Sequence, residues 1–153
     1  MPDTFTQIYI HVIFAVKNRS ALIHPSFKDE LYKYITGIVT NKNQKLLAIN
    51  GMPDHVHILI GIKPDCALSD LIREIKKSST QFIREKQFCR FLFSWQAGFG
   101  AFSCSKSQIG KVATYIENQE THHAKQTFKL EYIDFLKKYD INYREEFLFD
   151  FFD

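Results

Sequence analysis

The chain has 153 residues, of which 45% are hydrophobic and 24% are charged. This size and composition fit one folded domain and exclude a disordered chain. No apolar run reaches the roughly 18 residues that a transmembrane helix needs, and no basic segment leads into an apolar one at the start. Its three cysteines lack a C-x-x-C spacing. We therefore expect a cytoplasmic protein with no membrane partner.

The net charge is unevenly distributed. It is +3 overall, but residues 144–153 contain one arginine against four acidic residues and carry −3, which leaves +6 on the rest. A basic body is compatible with a polyanionic partner such as nucleic acid, although a solvated basic surface would give the same composition.

Periodicity predicts the elements of the first half of the chain. Residues 6–17 form a strand whose even positions are apolar and whose odd positions are mixed. A helix follows over 26–42. Strands over 45–50 and 55–62 are joined by a turn of Gly, Met, Pro and Asp, which predicts a hairpin. A second helix covers 69–86, with Ser69 as its N-cap and a basic outer face.

The second half is predicted to contain short strands over 91–95 and 101–104, then helices over 106–122 and 128–138. The order β-α-β-β-α-β indicates an α+β fold of the RRM-like or ferredoxin-like kind. In this fold an antiparallel sheet has helices on one face and an open working face on the other, and the C-terminal helix is added to it. We predict one domain over 1–143 and an acidic, aromatic tail over 144–153.

His55 and His57 are the first candidates for chemistry. They lie two apart on a predicted strand, so their side chains project from the same face, whereas Val56, Ile58 and Ile60 project from the other. Such a pair is close enough to bind one cation. Two hydrogen-bonded surface histidines would give the same pattern.

Tyr115 and Gln119 lie four apart and share one face of a predicted helix. A helical tyrosine is most often a packing residue. His122 follows Gln119 by one turn and could support the metal ligands, contact phosphate or cap the helix end. His11 lies on the mixed face of the first strand and is either a core histidine or a residue that supports the histidine pair.

Several blocks of sequence together resemble one family. The segment Gly51-Met52-Pro53-Asp54-His55-Val56-His57 is similar to the HUH segment (His, hydrophobic, His) of single-tyrosine transposases of the insertion-sequence-200-like type. Blocks that begin at His11, Ser69, Trp95 and Tyr115 match the family in the same order. The resemblance covers about residues 6–140 and is closest to the transposases associated with repetitive extragenic palindromes.

The resemblance implies a role for each matched residue. Tyr115 matches the nucleophile, which attacks single-stranded DNA and forms a 5′-phosphotyrosine. His55, His57 and Gln119 match the ligands of a divalent ion, Mg²⁺ or Mn²⁺. The DNA partner is single-stranded and carries a hairpin, and the protein is a homodimer whose active site can be shared between subunits. We assign contacts with the DNA backbone to Arg73, Lys76 and Lys77 of the basic helix.

Two other functions remain open at this point. An RRM-like module could bind single-stranded nucleic acid without catalysis, its histidines being structural. A zinc-dependent hydrolase could use the same histidines with a metal-bound water and no need of Tyr115.

Overall fold

Four antiparallel strands form one sheet in the order β2-β3-β1-β4. The strands are β1 (Tyr9–Ala15), β2 (Lys45–Met52), β3 (His55–Gly61) and β4 (Gly100–Cys104). Helix α1 (Pro25–Asn41) connects β1 to β2, and α2 (Leu68–Lys86) connects β3 to β4. The computed structural model describes residues 3–152. It confirms the predicted α+β class with an antiparallel sheet and helices.

One face of the sheet packs against α1 and α2. The even positions of β1 and the matching aliphatic row of β3 meet the apolar stripes of both helices in the larger core. Val12, Phe14, Val56, Ile58 and Ile60 are all fully buried there. This is the alternation that the sequence predicted for these two strands.

The second face is covered, and the expectation of an open working face was wrong. Three further helices, α3 (Ile109–Glu117), α4 (Gln119–His123) and α5 (Phe128–Lys138), follow β4. Residues of α3 pack on Leu59 and Ala48, whereas Phe128 and Tyr132 of α5 pack with Ile13. The odd positions of β1 were classed as mixed, but Ile13 and Ala15 among them are apolar and need this cover.

The C-terminal segment extends the second layer. Phe149 and Phe151 stack around Phe128 and Tyr132 of α5. The Gln96 amide also holds the backbone of Asp150, donating to its carbonyl at 2.8 Å and accepting from its N–H at 2.7 Å. Part of the predicted tail therefore packs on the domain, and the boundary after residue 143 stays a prediction.

The strand predicted over 91–95 is not formed, apart from an isolated bridge between Trp95 and Val16. Beside this bridge the Lys17 N–H donates to the Ser94 carbonyl and the Gln96 N–H donates to the Ala15 carbonyl, while side chains of α2 bind other carbonyls in the segment and just beyond it. Arg84 donates twice to the Phe93 carbonyl, and Lys76 donates to the carbonyls of Gln96 and Gly98. Phe93 and Trp95 of this segment are buried in the larger core, whereas Phe91 and Leu92 are exposed, so the apolar composition indicated partial burial and not a strand.

Two helix boundaries also differ from the prediction. Helix α2 begins at Leu68, and its N-cap is Ala67 rather than Ser69, with no side-chain cap. The long helix predicted over 106–122 is interrupted at Asn118, where α3 ends. The Asn50 side chain donates to the Glu117 carbonyl at 2.9 Å and so satisfies one acceptor exposed by the interruption.

No helix of the described residues is long and apolar enough to cross a membrane. A cytoplasmic location stays a prediction.

The hairpin that carries His55 depends on Gly51. A Cβ at this position would lie 2.1 Å from the His55 carbonyl oxygen and 2.9 Å from the Val56 Cα, and neither backbone atom can move independently of β3. We expect Gly51→Ala to lower the free energy of unfolding by about 2 kcal/mol or more, as overpacking does. Urea denaturation measures this effect. Gly110→Ala is the control, because no atom lies within 4 Å of a Cβ there. Equal stability of both variants would contradict the close approach.

Candidate functional site

The two histidines of β3 each have one ring nitrogen bonded to a neighbouring side chain. His55 and His57 are fully buried on the face covered by α3, α4 and α5. His55 Nδ1 donates to Asp54 Oδ1 at 2.7 Å, and His57 Nδ1 lies 2.8 Å from His11 Nε2. Partners of this kind fix ring orientation, as carboxylates do for metal-binding histidines. The two Nε2 atoms are left to face the space under α4 and α5.

Tyr115 and Gln119 meet the histidine pair in that space. Gln119 is fully buried on α4, and its Oε1 lies 3.3 Å from His55 Nε2. Tyr115 is half-buried on α3 and donates its hydroxyl to Glu131 Oε2. The His122 ring stacks on the Tyr115 ring with centroids 4.2 Å apart. The structure therefore brings together Tyr115, His55, His57 and Gln119, with His11 bonded to His57 and His122 stacked on Tyr115.

Glu131 of α5 lies at the centre of this group, and the sequence analysis did not identify it. Its side chain is 2% exposed. Its Oε1 is 3.1 Å from His57 Nε2, 3.2 Å from His123 Nε2 and 3.4 Å from His55 Nε2. Asp54 and His123 also have contacts here that were not predicted. A signal for Glu131 did exist, since it is the acidic position on a stripe otherwise formed by Phe128, Tyr132, Phe135 and Leu136.

Burial and hydrogen bonding shift the pKa values of these groups. Burial lowers the pKa of His11 to about 3 and that of His57 to about 4, so both are neutral at pH 7. Burial also acts to lower the pKa of His55, but its bonds to Asp54 and Glu131 outweigh it and the pKa is raised. Burial, and then the Glu131 charge, raise the pKa of the Tyr115 phenol. The phenol is therefore protonated at neutral pH.

The buried neutral histidines predict a stability that falls in acid. Between pH 7 and pH 5 the unfolded chain protonates histidines of ordinary pKa, whereas folded His11 and His57 stay neutral. The raised pKa of His55 opposes this in part. We expect the free energy of unfolding of the metal-free protein to fall by about 2 kcal/mol over that range, measured with urea at both pH values. In His11→Asn the fall should be smaller. An identical fall in that variant would contradict the assignment.

The donors around Glu131 fit a divalent metal ion. The ligand atoms of His55, His57, His123 and Glu131 all lie within 4.8 Å of one another. Imidazole nitrogen and carboxylate oxygen are ligands that first-row divalent ions accept, and Mn²⁺ tolerates both. A buried group of this composition is able to hold one ion beside the phenol.

A small cavity of about 270 Å³ reaches the Tyr115 side chain. Its lining includes two cationic residues, Lys111 and Lys138, and the partly buried aromatic residues Phe135 and Tyr139. Cations with exposed aromatic rings are what single-stranded nucleic acid binds.

The predicted DNA-binding residues of α2 are not part of this site. Arg73, Lys76 and Lys77 lie on the helix that packs against the opposite face of the sheet. Arg73 pairs with Asp70 at 3.0 Å. Lys76 is half-buried, its ammonium donates to two carbonyls, and burial lowers its pKa to about 8. Of the three side chains, Lys76 is the least available to a phosphate.

A family model described as "Transposase IS200 like" matches residues 4–119. The chain belongs to the IS200-like transposase family. The match includes β1, the histidine pair of β3, Tyr115 and Gln119, and it ends before His123 and Glu131.

Individual relatives agree with the family. The ISDra2 transposase TnpA of Deinococcus radiodurans is 25% identical over 118 residues, which are 74% of this chain and 84% of that protein. A protein of D. radiodurans R1 solved as a candidate transposase has a TM-score of 0.61 at 23% identity, covering 78% of this chain and 95% of its own. A REP-associated tyrosine transposase, solved bound to a REP hairpin, has a TM-score of 0.59 at 17% identity, covering 80% and 73%. The two solved structures share the fold.

Proposed function

We propose that this transposase cuts and rejoins single-stranded DNA by attack of Tyr115 on a phosphodiester, with a divalent ion held by His55, His57 and Gln119. One observation carries the proposal: the Tyr115 hydroxyl, the two Nε2 atoms of β3 and the Gln119 amide all converge on the carboxylate of Glu131. A nucleophile and a donor set for a cation are therefore present in one small volume of one chain.

The reaction conserves the phosphodiester bond energy. The Tyr115 oxygen forms a bond to phosphorus, and the bond from phosphorus to the 3′-oxygen breaks. The products are a 5′-phosphotyrosine and a free 3′-hydroxyl, and the proton lost by the phenol equals the one gained by the 3′-oxygen. A later 3′-hydroxyl can reverse the step without ATP. When bound, Mg²⁺ or Mn²⁺ would neutralise charge on the phosphate and orient it for in-line attack.

The residues of the chain prepare the site for that reaction. Asp54 and His11 fix the rings of His55 and His57, which leaves one ring nitrogen of each for the ion. Stacking on His122 restricts the Tyr115 ring, and restriction of a nucleophile lowers the entropy cost of attack. Burial raises the pKa of the phenol, and a protonated phenol is a poor nucleophile, which supports a role for an ion in the proposed attack.

The DNA partner is proposed on charge and shape. A strand that enters the cavity beside Tyr115 would meet Lys111 and Lys138 at its phosphates and the rings of Phe135 and Tyr139 at its bases. Arg73 and Lys77 would bind a hairpin only away from the cut, on the other side of the sheet. A homodimer stays a prediction, since one chain contains every group of the site.

The polarity of the covalent product tests the proposal. A single-stranded hairpin oligonucleotide is labelled either 5′ or 3′ of the cut and incubated with the protein and Mn²⁺. We expect label to stay with the denatured protein only when it lies 3′ of the cut, because Tyr115 keeps the 5′-phosphate. Label retained from the other side would contradict the mechanism. Tight binding without any adduct, unchanged by a chelator, would favour the RRM-like binding module.

A further inference from the structure

We infer that Glu131 and His123 complete the metal site, and that Glu131 also positions the nucleophile by holding the Tyr115 hydroxyl with its second oxygen. The inference rests on the proposed metal dependence and adds two ligands to it. Both residues lie beyond residue 119, where the family match ends. The family match therefore assigns no role to either residue.

The distances around Glu131 are those between ligands of one ion. Two ligands bound at about 2.1 Å from a metal are about 3.0 Å apart at a right angle and about 3.4 Å apart at a tetrahedral angle. Glu131 Oε1 lies 3.1, 3.2 and 3.4 Å from the Nε2 atoms of His57, His123 and His55. The four ligand atoms of His55, His57, His123 and Glu131 lie within 4.8 Å of one another, whereas ligands bound at about 2.1 Å are at most about 4.2 Å apart, so an ion would draw these side chains slightly together.

The burial of Glu131 points the same way. A carboxylate removed from water is costly unless several groups compensate it. Here three imidazoles, a phenol and the Gln119 amide all surround one carboxylate on a stripe of aromatic residues. An apolar side chain at this position would continue the stripe and avoid that cost. The charge is therefore explained better by a ligand role than by packing.

The two oxygens of Glu131 have different partners. Oε1 faces the imidazoles, whereas Oε2 accepts the hydroxyl of Tyr115 and lies 3.4 Å from the Gln119 amide nitrogen. One rigid carboxylate on α5 thereby fixes the distance between the metal ligands and the phenol oxygen. It also adds a negative, hard ligand to the neutral donors of β3 and α4, which suits Mn²⁺.

Calorimetric titration of the metal-free full chain with Mn²⁺ tests the inference. We expect Glu131→Gln to weaken Mn²⁺ binding at least tenfold, as loss of a ligand does. His123→Gln should weaken it to a similar degree from another helix, and it also serves if Glu131→Gln does not fold. Glu131→Asp should recover part of the affinity, because the charge is kept. Asp134→Asn is the matched control, since this exposed carboxylate of α5 bonds only Gln126 among the described contacts.

The outcomes separate this inference from the proposed function. Binding of Mn²⁺ by folded Glu131→Gln as tightly as by wild type would overturn the ligand role, and tighter binding would show in addition that Glu131 obstructs the site. If Glu131→Gln is unfolded, unchanged binding by His123→Gln overturns the inference in the same way. A wild-type protein that binds no Mn²⁺ would contradict both the inference and the metal dependence.

Discussion

Tyr115→Phe is expected to lose covalent adduct formation by at least about a thousandfold, because no other group replaces a deleted nucleophile. The phenyl ring keeps the stack on His122, so the site changes by one oxygen atom. A denaturing gel with labelled hairpin DNA and Mn²⁺ measures the loss. Binding of uncut DNA should change little, since the cationic residues of the cavity are unaltered.

Tyr34→Phe is the matched control for this experiment. Tyr34 is exposed on α1, and its ring stacks on Phe82 with centroids 4.1 Å apart, a contact that phenylalanine keeps. We expect normal adduct formation in this variant. An adduct formed by Tyr115→Phe at the wild-type rate would show that the nucleophile lies elsewhere.

His57→Ala is expected to lower metal-dependent adduct formation at least about a hundredfold and to abolish tight Mn²⁺ binding. The substitution removes one imidazole donor and leaves Glu131 Oε1 and His11 without a partner they contact at 3.1 and 2.8 Å. A chelator added to the wild-type protein should reproduce the loss of adduct, and excess Mn²⁺ should reverse it. Calorimetry and the gel assay measure the two effects.

His24→Asn controls for the removal of an imidazole. His24 is exposed, and its Nδ1 accepts the Ser26 N–H as the N-cap of α1, which an asparagine oxygen can replace. We expect this variant to behave as wild type. Adduct formation that persists in folded His57→Ala, or in the presence of a chelator, would argue for chemistry without an ion.

The sheet and the two helices α1 and α2 were predictable because the alternation of apolar residues along β1 and β3 shows which side of each strand is buried against the helices. The even row of β1 and the row Val56, Ile58 and Ile60 were assigned to the helices correctly. The second layer of helices was missed because its sequence signals are spread over three segments. They are the two apolar residues in the mixed row of β1, the apolar stripe of α5 and the aromatic C-terminal residues. None of these signals alone shows that the other two pack against it. The segment 91–95 was misread because its apolar composition does not show that only Phe93 and Trp95 are buried, or that pairing is limited to the bridge at Trp95.

The candidate site was predictable only in its local parts. Each pair of site residues lies within one region of the sequence: His55 and His57 on a predicted strand, Tyr115 and Gln119 on a predicted helix. Only the resemblance to a family indicated that the two pairs belong to the same site. Glu131 lies 74 residues from His57 and on another element, so only the packing of α5 over the sheet brings them together. The assignment of DNA contacts to Arg73, Lys76 and Lys77 stays a prediction. A basic helix face in the sequence does not show which side of the sheet the helix covers, and the structure places these residues on the side away from Tyr115.

The most direct test is to identify the amino acid that carries DNA. The covalent product formed with Mn²⁺ is digested with nuclease and protease, and mass spectrometry locates the remaining nucleotide among the seven tyrosines of the chain. The account predicts one modified peptide, the one that contains Tyr115, and none from protein treated with chelator. A nucleotide on any other side chain, or a cut strand with no protein attached, would contradict it.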